Sequence, residues 1–137
     1  MNLYSLMPSF RPKVMVLLYE LEMAGIRCLV TSCRRTLKEQ DALYEIGRSI
    51  PGDVVTKARG GQSPHNFGMA IDLVPLDSDN QPWWDCPDDV WQVIALTAEK
   101  NGLKCGYRFT NHDAPHVEDP HWKEQQALWK EGKVQVA

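Results

Sequence analysis

The segment SPHNFGMAIDLVP, residues 63–75, constrains the fold more than any other part of the chain. Its second half has the apolar character of a buried strand, and yet Asp72 lies in the middle of it. Burying an unpaired carboxylate costs free energy, so the fold must bring a compensating group to Asp72. Because side chains alternate along a strand, Asp72 shares its face with Ala70 and Val74.

Hydrophobic periodicity and turn residues predict helices and strands in an irregular order, without a regular βαβ rhythm. Helices are predicted at residues 10–24, 36–47, 87–101 and 124–130, and strands at 27–32, 69–74, 103–109 and 115–118. Ser9 is expected to cap the first helix, and Thr36 with Glu39 forms a capping box at the second. A long loop is expected at residues 50–62. This pattern predicts an α+β fold with a small, mainly antiparallel sheet flanked by helices.

Length and composition set the broad class of protein. A chain of 137 residues that is 43% hydrophobic is long enough for one compact domain with a core, so we expect a single domain over residues 1–137. The net charge of −3 argues against a nucleic-acid partner, which would favour a basic stripe. The apolar runs are far shorter than a membrane span, so we expect no stable membrane association.

The N-terminus and the cysteines bear on the cellular compartment. The segment MNLYSLMPSFRPK has no basic region followed by an apolar stretch, so we expect no signal peptide and a cytoplasmic site of synthesis. The chain has four cysteines, and none of them forms a Cys-x-x-Cys pair. Without an export signal, reduced thiols are expected rather than a disulfide framework.

A group of histidines and acids supplies candidate partners for Asp72. Three of the four histidines lie in the segment FTNHDAPHVEDPHW, residues 109–122, and acids are interleaved with them. Neutral imidazole and carboxylate are ligands of catalytic zinc, which takes three protein ligands and leaves one position for water. We therefore hypothesise a divalent metal ion held by Asp72, His65 and a third ligand from this late segment.

The third ligand has two candidates on sequence grounds. Asp113-Ala-Pro-His116 and Glu118-Asp-Pro-His121 both place an acid three residues before a histidine that follows a proline. Either histidine could complete the site. His112 is expected at the rim of the loop.

Four motifs together resemble one family of enzymes. They are S-x-H-x-x-G-x-A-x-D at 63–72, D-x-P-H-V-E at 113–118, TSCRRTLKEQ at 31–40 and GLKCGYRF at 102–109. This set resembles the zinc peptidases of the D-alanyl-D-alanine carboxypeptidase and dipeptidase family, whose fold is hedgehog-like. It looks most like the short phage endolysins that act as L-alanyl-D-glutamate endopeptidases.

The resemblance implies a role for each matching residue. It implies a zinc ion (Zn2+) held by His65, Asp72 and His116, with Asp113 as the general base that takes a proton from water. The alternative keeps His121 as the third ligand and Glu118 as the base; the D-x-P-H-V-E match favours His116. The residues expected to contact substrate are Arg35, Gln40, Ser63 and Glu118, of which Arg35 would hold a substrate carboxylate or stabilise an oxyanion.

The resemblance also implies a function and partners. It predicts a peptidase that hydrolyses an amide bond in the peptide stem of peptidoglycan, most closely a monomeric phage endolysin without a separate wall-binding domain. Such an enzyme would be made in the cytoplasm of the bacterial host and would reach the cell wall after a holin permeabilises the membrane. The alternatives are a bacterial D-Ala-D-Ala carboxypeptidase or dipeptidase, and a non-catalytic wall-binding module stabilised by metal.

Overall fold

The computed structural model describes residues 2–137, which form four α-helices and a four-stranded sheet. In chain order these elements are α1 (Arg11–Met23), β1 (Cys28–Ser32), α2 (Leu37–Glu45), β2 (Ala70–Pro75), α3 (Asp88–Lys100), β3 (Lys104–Cys105), β4 (His116–Glu118) and α4 (Trp122–Lys130). Short 3-10 helices occur at Leu3–Ser5, Pro64–Phe67 and Gly106–Arg108. None of the helices in this described part of the chain is both long enough and apolar enough to cross a membrane.

The sheet has the strand order β1-β2-β4-β3, and each neighbouring pair is antiparallel. The β2 strand is central: Asp72 lies opposite Ser32 of β1 on one side and opposite His116 of β4 on the other. Directly opposed residues of an antiparallel pair have their Cβ atoms about 5 Å apart on the same face. The register alone therefore brings His116 to Asp72, and the predicted α+β fold with a small antiparallel sheet is confirmed.

The hydrophobic core lies between the sheet and helices α1 and α3. Its fully buried side chains include Val14, Leu17 and Leu21 of α1, Ile71 and Leu73 of β2, and Ile94, Ala95 and Ala98 of α3. Helix α4 packs elsewhere, against the 3-10 helix at Pro64–Phe67, where the Phe67 ring stacks on Trp122 with centroids 6.1 Å apart. The core thus fixes the sheet, and α4 fixes the segment that carries His65.

Several predicted boundaries differ from the structure. The predicted capping box of α2 is confirmed by two bonds of 3.0 Å, from the Glu39 N–H to Thr36 Oγ1 and from the Thr36 N–H to Glu39 Oε1. Ser9 does not cap α1, which begins at Arg11 after Phe10 without a side-chain cap. The strand predicted at 103–109 is only Lys104–Cys105, because the chain then turns into the 3-10 helix Gly106–Arg108. Helix α4 begins two residues earlier than predicted.

Candidate metal centre

Three side chains from three parts of the chain meet at one point. His65 Nε2 lies 3.5 Å from Asp72 Oδ2, and His116 Nδ1 lies 3.4 Å from Asp72 Oδ1. One ligand atom from each residue lies within 4.8 Å of the other two. Tetrahedral ligands about 2.1 Å from a zinc ion are roughly 3.4 Å apart, so the spacing suits a single ion of that kind.

The segment before β2 delivers His65 to this point. Ser63 begins the 3-10 helix Pro64–Phe67, and its Oγ accepts a bond of 3.2 Å from the His65 N–H. Asn66 Oδ1 accepts bonds from the Ser63 and Gly61 N–H groups, so the turn is closed from both ends. Gly68 then has a φ of 66°, a left-handed conformation that favours glycine, and a Cβ there would lie 2.6 Å from Arg34 Nη2. The chain can therefore reverse into β2 within a few residues of His65.

Two hydrogen bonds fix which ring nitrogen of each histidine faces Asp72. His65 Nδ1 lies 2.7 Å from the backbone oxygen of Cys33, and a carbonyl can only accept, so Nδ1 carries the proton. His116 Nε2 lies 2.8 Å from Glu118 Oε1, so this nitrogen donates to the carboxylate. In each neutral ring the remaining nitrogen presents a lone pair beside Asp72. Histidine ligands of metals have such outer partners, and the donor set therefore fits a metal ion.

The electrostatics of the cluster also suit a cation. Burial alone would raise the pKa of Asp72, but the adjacent imidazoles of His116 and His65 hold it well below its ordinary value. Burial alone would lower the pKa of His116, but its bonds to Asp72 and Glu118 raise it to about 9. Without a metal ion the two carboxylates therefore keep a proton on His116 at neutral pH. A bound cation would take over the role of that proton.

A cavity of about 310 Å³ opens over the cluster. It is lined by Arg35, Leu43, Val55, Thr56, Ser63, His65, Asp72, Asp113 and His116. The candidate general base Asp113 thus shares one cavity with all three candidate ligands. Partial burial at the cavity wall raises the pKa of Asp113, in the direction that makes a carboxylate a better base.

The position of Asp113 depends on a glycine. The Asp113 N–H donates to the Gly106 carbonyl over 2.9 Å, and the His116 N–H donates to the Asp113 carbonyl over 3.1 Å. A Cβ at Gly106 would lie 2.2 Å from the Asp113 backbone oxygen, so no larger residue fits there without moving this loop. The GLKCGYRF motif therefore serves the site through its second glycine.

Arg35 lies beside the cluster and is held in place from behind. Its Nη1 donates to Gln40 Oε1 over 2.8 Å, its Nη2 donates to Ser32 Oγ over 3.3 Å, and Nη2 is 3.9 Å from Asp72 Oδ2. Gln40 was expected to contact substrate, but it is fully buried and its amide donates to the Ala58 carbonyl over 2.9 Å. Gln40 is therefore a positioning residue for Arg35.

The remaining candidate residues occupy different places. Ser63, which the resemblance predicts to contact substrate, lines the cavity. Glu118 was expected at the substrate or as an alternative base, but it is buried, and it bonds to the nitrogen of His116 that faces away from Asp72. The His121 ring is exposed, lies 3.4 Å from Glu124 and is outside the cluster, and His112 is exposed on the loop as predicted.

Sequence reasoning missed two parts of the site. It did not find the Cys33 carbonyl that orients His65, because a backbone acceptor leaves no mark in the sequence. It also did not find the 3-10 helix that carries His65. The signal for that helix was present, since Ser63 followed by Pro64 is a typical start of a helical turn.

Fold and cluster together define a class: an α+β domain with a candidate mononuclear metal centre of two histidines and one aspartate, and a carboxylate beside it. Residues 56–119 match the family model described as D-alanyl-D-alanine carboxypeptidase, a range that contains all three cluster residues and Asp113. The chain is 37% identical over 102 residues to the peptidoglycan L-alanyl-D-glutamate endopeptidase CwlK of Bacillus subtilis (strain 168). That alignment covers 69% of this chain and 61% of CwlK, so the chain spans less than two thirds of this relative.

Solved structures show the same fold. The L-Ala D-Glu endopeptidase ChiX of Serratia marcescens aligns with a TM-score of 0.68 at 18% identity, over 90% of this chain and 86% of that one. The vancomycin-resistance D,D-pentapeptidase VanY, solved in complex with Zn(II), aligns with a TM-score of 0.63 at 15% identity, over 93% of this chain and 79% of that one. These comparisons confirm the resemblance to the D-alanyl-D-alanine carboxypeptidase family that the motifs predicted.

Proposed function

We propose that this chain is a zinc-dependent peptidase that hydrolyses the amide bond between L-alanine and D-glutamate in the peptide stem of peptidoglycan. The observation that carries the proposal is the convergence of His65, Asp72 and His116 in one cavity with Asp113. The name of the 37% identical relative supports the choice of bond. A histidine pair with one carboxylate is a ligand set that suits a catalytic zinc ion.

The proposed roles follow from the position of each group. When bound at this site, zinc would supply an electrophilic centre that acidifies water and polarises the scissile carbonyl. Asp113, whose pKa is raised, would take the proton from the attacking water and deliver it to the leaving amine. Arg35 would hold a substrate carboxylate, since its guanidinium lines the cavity and is already oriented by Gln40. Ser63 would contact substrate at the cavity wall.

We extend the proposal to the biological setting that the motifs suggest. The chain would act as a monomeric phage endolysin, made in the cytoplasm of the bacterial host and admitted to the cell wall by a holin. A second candidate function is that of a D-Ala-D-Ala carboxypeptidase or dipeptidase. It is favoured by the description of the matching family model.

Digestion of purified peptidoglycan by the zinc-loaded protein tests the proposal and separates the two enzymes. Mass spectrometry of the products should show new N-terminal D-glutamate. Released D-alanine would support the carboxypeptidase instead. If the protein binds peptidoglycan without cutting it, and the Asp113→Asn variant behaves identically, the chain is a binding module and the proposal is wrong.

A further inference from the structure

A second cavity, the α2 trough, adjoins the cavity over the metal centre. It is lined by Arg35, Glu39, Ala42, Leu43, Ile46 and Ile50 and has a volume of about 470 Å³. Arg35 and Leu43 line both cavities. The two cavities therefore share part of their walls at these two residues.

The far end of the α2 trough is an apolar wall with a fixed backbone. Ile46 follows the last residue of α2, and a β-bridge pairs it with Ile50. The Gly47 N–H donates to the Ile50 carbonyl over 2.7 Å, and the Ile50 N–H donates to the Glu45 carbonyl over 3.0 Å. Ile50 nevertheless leaves 49% of its surface exposed. An apolar surface that is both exposed and held in place suits contact with a hydrocarbon chain.

The α2 trough also contains one carboxylate, that of Glu39, without an ion-pair partner in the described residues. Glu39 uses Oε1 to accept the Thr36 N–H, and it forms no ion pair with any residue in 2–137. The neighbouring Arg35 forms no ion pair with Glu39, because its guanidinium is directed toward Gln40, Ser32 and Asp72. The trough therefore combines hydrocarbon walls with a carboxylate that is free to bind a cation.

We propose that the α2 trough binds the side chain of a diamino acid in the stem peptide, an alkyl chain that ends in an ammonium group. The inference rests on the proposed function. In the stem, D-glutamate continues through its side-chain carboxyl to a diamino acid, so its α-carboxylate stays free for Arg35. With that carboxylate at Arg35, the diamino acid is the next residue along the chain and lies at the α2 trough, where its ammonium group meets Glu39.

Two synthetic peptides test whether the substrate's ammonium group interacts with Glu39. They are N-acetyl-L-alanyl-γ-D-glutamyl-L-lysine and the same peptide with norleucine, which keeps the alkyl chain and lacks the ammonium group. The zinc-loaded protein should cut the lysine peptide with a KM about two- to fivefold lower, the range of an exposed ion pair. Glu39→Gln should remove this preference, because glutamine can still complete the capping box but carries no charge.

The apolar wall is tested by Ile50→Ala, with Leu96→Ala as the matched control. Leu96 is exposed on α3 and lies outside both cavities. Ile50→Ala should raise KM for both peptides about two- to fivefold with little change in kcat, because it removes part of a hydrophobic contact. Leu96→Ala should match the wild type, and zinc content should stay equal in all variants.

The outcomes separate this inference from the function on which it rests. If the wild type cuts neither peptide, the proposed function is wrong and the inference falls with it. If it cuts both with the same KM, or if Glu39→Gln keeps the preference for lysine, the peptidase stands and the inference alone is overturned. An unchanged KM in Ile50→Ala would likewise overturn it.

Discussion

Two short segments of this chain carry the same pattern and lie in different surroundings. Asp113-Ala-Pro-His116 ends on a buried histidine at the start of β4, opposite Asp72. Glu118-Asp-Pro-His121 ends on a histidine with an exposed ring, just before α4. The two histidines are five residues apart, and only the first lies in the candidate metal centre.

The difference shows that strand pairing, and not the local motif, decides which histidine reaches Asp72. His116 belongs to a strand whose neighbour is β2, so the register of the sheet sets its distance from Asp72. After Glu118 the strand ends, because the Asp119 carboxylate accepts the His121 N–H over 2.8 Å and turns the chain toward α4. A histidine beyond that turn has no partner strand that could bring it back to the site.

The largest expected effect is the loss of zinc and activity when His116 is removed, with the removal of His121 as the comparison. His116→Ala should lose stoichiometric zinc and all measurable peptidase activity, because the ion would keep only two protein ligands. His121→Ala should keep both zinc and activity. Its exposed ring lies outside the cluster, and its ion-pair partner within residues 2–137 is Glu124. Metal analysis of the two purified variants checks this prediction. Zinc loss in His121→Ala with retention in His116→Ala would reverse the assignment.

Asp113 and Glu118, the acids of the two segments, should have different roles: Asp113 in the reaction and Glu118 in metal binding. Asp113→Asn should lower kcat by about 10²–10⁴-fold, the usual contribution of a general base, while zinc content stays at the wild-type level. The reason is that Asp113 lines the cavity and is not one of the three candidate ligands. Steady-state kinetics on a stem peptide, paired with metal analysis, measures both quantities. Activity near that of the wild type would remove Asp113 from the mechanism.

Glu118 should act on the metal and not on the reaction. Glu118→Gln keeps an acceptor for His116 Nε2 but removes the charge, and we expect zinc affinity to fall about tenfold, at the low end for outer partners of metal ligands. When zinc is saturating, kcat should stay close to the wild-type value. A competition titration against a zinc chelator gives the affinity. A large loss of kcat at saturating zinc would instead make Glu118 the base.

The sequence alone predicted much of this arrangement, and the physical reasons are specific. Asp72 in an apolar strand signals a buried charge, and a buried charge requires a partner whatever the fold. The capping box of α2 was predicted correctly because all of its bonds lie within four residues. Features set by local sequence, such as this box and the strand around Asp72, were therefore predictable.

Features set by distant parts of the chain were not predictable. The sequence motif predicts Gln40 as a substrate contact, whereas in the structure Gln40 is fully buried between Arg35 and the Ala58 carbonyl. The choice between His116 and His121 needs the register of β2 and β4, which no local pattern encodes. The orientation of His65 depends on a backbone carbonyl 32 residues away in the chain.

The smallest predicted effect is a proton released when zinc binds. In the metal-free protein the pKa of His116 is about 9, so below that pH the ring is protonated and must lose its proton to present a lone pair. Zinc affinity should therefore rise at least about tenfold per pH unit as the pH increases toward 9. Calorimetry near pH 8 in buffers of different ionisation enthalpy should show about one proton released from His116, in addition to the proton lost by zinc-bound water. Glu118→Gln removes one of the two carboxylates that raise this pKa, so it should release fewer protons at the same pH, whereas His121→Ala should leave the number unchanged. Equal proton release in the wild type and Glu118→Gln would mean that Glu118 does not set the charge of His116.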